Sequence, residues 1–257
     1  MTAKTQTAAQ AASPFSAEEW ETRVQLAACY RLVALFGWTD LVFTHISARV
    51  PGPQEHFLLN AFGMAFDEVT ASNLVRIDLD GNVVDGSNAR IHKAGFVIHS
   101  AVHGGRDDAR CVIHTHSTAG VAVSMLEEGL LPLSQHAQLF YQRLGYHDYE
   151  GLALDLDERA RLVRDLGSYP AMILRNHGLL VAARSIPLAF SILHHLEKAC
   201  QVQLMAMATG RRLNAVPESV SLKTAEQGFD SDGAPFGEVE WPAMLRHLDR
   251  IDPSYRS

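Results

Sequence analysis

Six residues, Cys111-Val-Ile-His-Thr-His116, constrain this chain more than any other stretch of its 257. Valine, isoleucine and threonine favour a pleated strand, and a run this short makes a poor helix. Residues i and i+2 leave a strand on the same face, so His114 and His116 project together from its end. The fold must therefore set a strand end, with two imidazoles side by side, against whatever completes the group.

Around that strand the hydrophobic periodicity alternates between helix and strand. Trp20, Val24, Ala28, Leu32 and Leu35 recur at spacings of three and four, which predicts a helix over about 17–37 with Ser16 as N-cap. The β-rich run 41–50, the Pro-Gly-Pro turn at 51–53 and a strand over 56–59 predict a hairpin, with small strands near 75–79 and 83–84. Further helices are expected over 93–105, 117–127, 155–166 and 186–209, with strands over 171–174 and 179–183 and loops over 131–150. His99 and His103, four apart, share one face of the helix over 93–105. This order predicts an α/β fold, a three-layer α/β/α single domain with a mostly antiparallel central sheet. Residues 1–15 read as a disordered leader, 16–210 as the domain, and 211–257 as a tail that packs on a neighbouring subunit.

Charge and cysteine usage narrow the function. Twenty-two Lys and Arg against 29 Asp and Glu leave a formal net charge of −7, so no basic field attracts nucleic acid or an anionic bilayer. No signal peptide or 18-residue apolar span is visible. Cys29, Cys111 and Cys200 are far apart and form no C-x-x-C pair, which fits free thiols in a reducing cytoplasm. The 13 histidines are the unusual count.

His114 and His116 need a third ligand to make a site of three protein donors plus an open position, and His177 in the strand-end turn Asn176-His-Gly178 can supply it. A His-x-His pair alone is a weak signal. Its order with other segments is more specific: Thr44-His-Ile-Ser-Ala-Arg49, Thr70-Ala-Ser-Asn-Leu-Val-Arg-Ile-Asp-Leu-Asp-Gly81, His99, His114-Thr-His116, then Asn176-His-Gly178. Over about residues 17–210 this sequence resembles the class II aldolase/adducin family. The resemblance implies that His114, His116 and His177 hold a divalent metal, zinc first, with Mn, Fe or Co as alternatives. It also implies a homotetramer with active sites between subunits, and chemistry on an enediolate-like intermediate.

The chain departs from the family's sugar-phosphate aldolases where they carry Ser-Ser-Glu. Those positions are Lys93, Ala94 and Gly95 here, so the proton-moving glutamate is missing, and His45 replaces an asparagine of the family's G-N-I-S segment. A phosphorylated sugar is therefore not the expected substrate. Lys93-Ala-Gly-Phe-Val-Ile-His-Ser-Ala101 is closer to the adducin-like branch, some of which is cytoskeletal and not catalytic. Three converging histidines argue for an enzyme, because a scaffold has no physical need of them.

Decarboxylation of a hydroxy- or oxo-acid suits such a site, because the bond to CO2 supplies the electrons and one proton donor then suffices. Retro-aldol cleavage is the second lyase reading, and a non-haem Fe(II) oxygenase or a non-catalytic adducin-like interaction protein are the alternatives. The candidate proton-moving residues are His136, at the position where the family's aldolases bring a tyrosine from a neighbouring subunit, and His99 or His103. His45, Lys93 and Arg90 are the candidate substrate contacts. His147 is expected to be structural, His194 and His195 to pack, and Tyr255 to be an outside candidate from the tail.

Overall fold

The computed structural model describes residues 15–152, 155–229 and 236–257. Its strands are β1 His45–Arg49, β2 Phe57–Leu59, β3 Val75–Ile77, β4 Cys111–Thr115, β5 Leu144–His147, β6 Ala171–Leu174 and β7 Gly178–Ala183. They form one seven-stranded sheet in the order β3-β2-β1-β4-β7-β6-β5. The His-x-His strand, β4, is thus the central one. Every pairing is antiparallel except β5 with β6. A parallel pair needs a long crossover, and α5, Glu158–Leu166, lies within it.

Strand alternation sorts the sheet into two faces. Ile46, Ala48, Cys111, Ile113, Leu179 and Val181 pack into the larger core under α1, Ala17–Leu35, and α6, Ile186–Met207. Val112, Met172, Leu174, Leu180 and Ala182 face Ile98 and Val102 of α2, Lys93–Gly105, and Leu162 and Leu166 of α5. The result is the expected three-layer α/β/α single domain with a mostly antiparallel sheet. Helix starts follow the local chemistry: Ser16, Ser117 and Ser185 each accept a hydrogen bond from a backbone N–H of the first turn of α1, of α3 (Thr118–Ser124) and of α6.

Several expectations change. The strand read over 41–50 begins only at His45, because Leu41 takes a positive φ of 49° in a turn that breaks the pleat. The stretch read as loops over 131–150 contains α4, Gln135–Gln138, and β5. Only four residues long each, they offer too few positions for a period to show. The tail gains a further helix, α7, Glu218–Glu226, before α8, Trp241–Ile251.

The described tail packs on its own chain. Trp241 meets Phe190 at 5.7 Å between ring centroids, and the Ala71 N–H donates to the Tyr255 carbonyl at 2.9 Å. Burial of a side chain such as Trp241 or Leu248 stabilises by about 1.5–3 kcal/mol. Tyr255 itself is fully buried, with its hydroxyl donating to Asp249 at 2.8 Å. The leader, save Phe15, lies outside the described residues. Among those residues, no helix is long and apolar enough to cross a membrane.

Candidate metal centre

Pairing of β1 with β4 sets His45 directly opposite His114, and alternation puts both on the α2 face. His116 follows one pleat beyond His114. His177 arrives from the turn between β6 and β7, where Asn176 adopts the left-handed conformation (φ 57°). The positive φ of this turn thus belongs to Asn176 and not to Gly178. Gly178 serves the close approach instead: a Cβ there would run into the Thr115 carbonyl oxygen.

These elements bring the three histidines together, with one ring nitrogen from each lying within 4.8 Å of the others. Ring centroids are 4.7 Å apart for His114 and His116, 4.7 Å for His114 and His177, and 4.8 Å for His116 and His177. Hydrogen bonds fix how two of them face. The Nδ1–H of His114 donates to the Leu179 carbonyl at 3.0 Å, and the Nδ1–H of His116 donates to Asp40 Oδ2 at 2.9 Å. A neutral imidazole bonded in this way keeps an unprotonated Nε2. The two Nε2 atoms stand 2.9 Å apart. Two lone pairs aimed at one another repel unless a proton or a metal ion lies between them, and with the His177 nitrogen converging on the same point this donor set fits a metal ion. Burial holds His114 well below the ordinary imidazole range and lowers His177 to about 4, keeping both neutral and able to ligate near pH 7.

The triad opens into a cavity of about 900 Å³ whose walls include Phe43, Ile98, Val121, Met125 and Leu152. Among the described lining residues there is no Lys or Arg, and the one carboxylate, that of Asp40, is engaged by His116. His45 lines this cavity, as does His92, the N-cap of α2.

The other sequence candidates fall elsewhere. His99 and His103 are fully buried behind His45 and do not border the cavity. His136, in α4, packs against His195 with ring centroids 5.8 Å apart and is not among the residues that line the cavity of its own chain. Arg90 and Lys93 are exposed and outside the lining. His194 and His195 pack among Phe36, Trp38 and Phe236, as expected. His147 is structural too, but from strand β5: its Nδ1 bonds Asp165 at 2.7 Å, and the adjacent Asp148 is not its partner.

Behind His45 runs a buried chain. His45 Nδ1 meets His99 Nε2 at 3.1 Å, His99 Nδ1 meets Ser47 Oγ at 2.5 Å, Ser47 Oγ meets His103 Nε2 at 2.7 Å, and His103 Nδ1 meets the Ala109 carbonyl at 3.0 Å. Alternation along β1 puts Ser47 on the same face as His45, and the four-residue spacing on α2 aligns His99 with His103. Sequence reasoning missed Asp40, Ser47 and His92. The i+2 offset from His45 was a usable signal for Ser47. Asp40 carried none, because its role depends on where the turn at Leu41 aims it.

Residues 24–204 match the family described as Class II Aldolase and Adducin N-terminal domain. An aldolase II superfamily protein from Pseudomonas syringae is 52% identical, with a TM-score of 0.90 covering 95% of this chain and 98% of that one. L-fuculose 1-phosphate aldolase from Glaciozyma antarctica is 29% identical, with a TM-score of 0.82 over 95% of this chain and 97% of that one. Alpha-adducin from Rattus norvegicus is 41% identical over 243 residues, which are 89% of this chain and 33% of the longer protein.

Proposed function

The chain belongs to the class II aldolase and adducin family, and from that premise we propose that it is a divalent-metal-dependent lyase that cleaves a C–C bond in a hydroxy- or oxo-acid, by decarboxylation ahead of retro-aldol cleavage. The observation that carries this reading is the 2.9 Å approach of the Nε2 atoms of His114 and His116, each turned inward by a hydrogen bond on its other nitrogen. His114, His116 and His177 would hold the ion, with zinc the first choice for three imidazoles and Mn, Fe or Co compatible. The bound metal supplies Lewis-acid polarisation of the substrate's chelating oxygens.

The protein's own residues do the rest. Asp40 orients His116, and the Leu179 carbonyl orients His114. Phe43, Val121, Met125 and Leu152 give the cavity apolar walls, which favour an apolar substituent. The absence of Lys and Arg from the described lining speaks against a phosphate group. With residue 95 a glycine, the titratable groups on the described cavity wall besides the triad and Asp40 are His45, His92 and Tyr149. Of these, His92 and Tyr149 take the proton-donating role in place of the fully buried His99 and His103, and His136 would reach a site only from a neighbouring subunit. We further propose that the enzyme works as a cytoplasmic homotetramer.

Elemental analysis of untagged protein, beside a His114→Ala/His116→Ala variant, tests the reading. About one metal per chain, lost in the variant, is expected, followed by release of CO2 or an aldehyde from hydroxy- and oxo-acids. Iron together with oxygen uptake would redirect the assignment to an oxygenase. No metal after reconstitution would sink it and leave an interaction role like that of the adducins.

A further inference from the structure

The buried chain behind His45 has a direction. A carbonyl oxygen can only accept, so the bond to Ala109 must come from an N–H at His103 Nδ1. His103 is neutral, since burial, aided by Arg49, lowers it to about 3. Its Nε2 is therefore an acceptor and takes the Ser47 hydroxyl proton. With that proton spent, the Ser47 oxygen accepts from His99 Nδ1–H. Burial keeps His99 neutral as well, so its Nε2 accepts from His45 Nδ1–H. Each assignment follows from the one before, starting at a peptide carbonyl.

From this directionality we infer that His45 is locked as its Nδ1–H tautomer and turns an unprotonated Nε2 to the cavity, as a hydrogen-bond acceptor that selects ligands bearing an O–H donor. Among the described residues no group bonds that Nε2, and its edge of the ring lies against Gly95, where there is no side chain to cover it. The chain is not a proton wire, because the Ala109 carbonyl at its far end cannot take up a proton. It is an orienting device, with Ser47 as the positioning residue. An unpaired acceptor on the wall of a largely apolar cavity disfavours a ligand that offers an ether or a carbonyl there and favours one that offers a hydroxyl.

The tautomer stands on the hydrogen-bond chain and on the neutrality of the buried His99 and His103; that it selects a substrate rests on the cavity being the active site. Long-range 1H–15N correlation spectra of protein with 15N-labelled histidine, assigned with a His45→Asn variant, distinguish Nδ1–H from Nε2–H, and the metal content of the same sample is measured alongside. His45 is expected as Nδ1–H in wild type. Ser47→Ala, which deprives His99 Nδ1–H of its acceptor, is expected to move His45 toward Nε2–H, and Ser47→Thr to restore it. A purely structural serine would not move the tautomer. An Nε2–H His45 in wild type with one metal per chain would overturn the inference and leave the metal centre standing, as would an unshifted His45 in Ser47→Ala. An Nδ1–H His45 without metal binding would sink the lyase reading and not the tautomer. For selection, calorimetry on zinc-loaded protein should show 2,3-dihydroxybenzoate binding about tenfold tighter than 2-hydroxy-3-methoxybenzoate, the size of one net hydrogen bond. Equal affinity, or binding of neither, would overturn that part.

Discussion

The imidazole of His45 stands where a side chain on residue 95 would have to go: a Cβ on Gly95 would lie 2.5 Å from His45 Cδ2 and 2.6 Å from its Nε2. The two residues are one structural choice. A glycine on the first turns of α2 makes room for a histidine on β1 that is opposite a metal-ligand candidate and anchored to a buried chain.

This contact reverses the usual effect of a helical glycine. Gly→Ala within a helix normally stabilises by about 0.5–1 kcal/mol. Here Gly95→Ala should destabilise by about 1–3 kcal/mol, because the methyl group overpacks against the His45 ring. In a His45→Ala background the same substitution should become neutral or stabilising, so a double-mutant cycle by denaturant unfolding decides the matter. Equal effects in both backgrounds would show that the residues are not coupled.

In the proposed site Asp40 would act on the metal through its hydrogen bond to His116. Asp40→Asn should weaken zinc affinity about 10–100-fold, the usual cost of losing a carboxylate that orients a ligating histidine, with little loss of fold stability. Competition against a chelator of known affinity measures this. An unchanged affinity would mean that the carboxylate does not orient the ligand.

Acid should unfold the metal-free protein early. The folded-state value of His103 lies at about 3, so between there and the ordinary imidazole range near 6.5 the unfolded chain binds the extra proton. Stability then rises with pH across that window and is fully present above it. The contribution of this one group is about 1.4 kcal/mol per pH unit. In His103→Gln the slope of unfolding free energy between pH 4 and 6 should be shallower by about that amount. An identical slope in both proteins would remove His103 from the account.

Glu197, on α6, is buried against the hydroxyls of Thr115 and Ser117 without a well-formed hydrogen bond to either, and desolvation raises its carboxyl to about 7. The unfolded chain loses this proton near pH 4.5, so stability falls as pH climbs from there to about 7 and is level above. Glu197→Gln should therefore gain about 1–3 kcal/mol at pH 8 and nothing at pH 4. A destabilised variant at pH 8 would show that the ionised carboxylate is needed behind the metal strand.

The sequence by itself determined the layered fold, because the apolar spacing of α1, α2 and α6 and the short, bounded apolar runs of β4 and β7 are local properties. It also pointed to the candidate metal ligands, since the His-x-His pair is set by strand alternation and His177 by a turn motif. Short elements such as α4 and β5 escaped it for want of enough residues to show a period. What the tertiary structure decided was the second layer of chemistry. Asp40 meets His116 across 76 residues, and Ser47 meets His99 across 52. His45 fills the space left at residue 95, whereas His136, Arg90 and Lys93 fall away from the triad. No local pattern encodes which buried polar group meets which. Such pairings follow from strand register and from how α2 docks on the sheet, and the cost of leaving a buried donor or acceptor unpaired then selects among them.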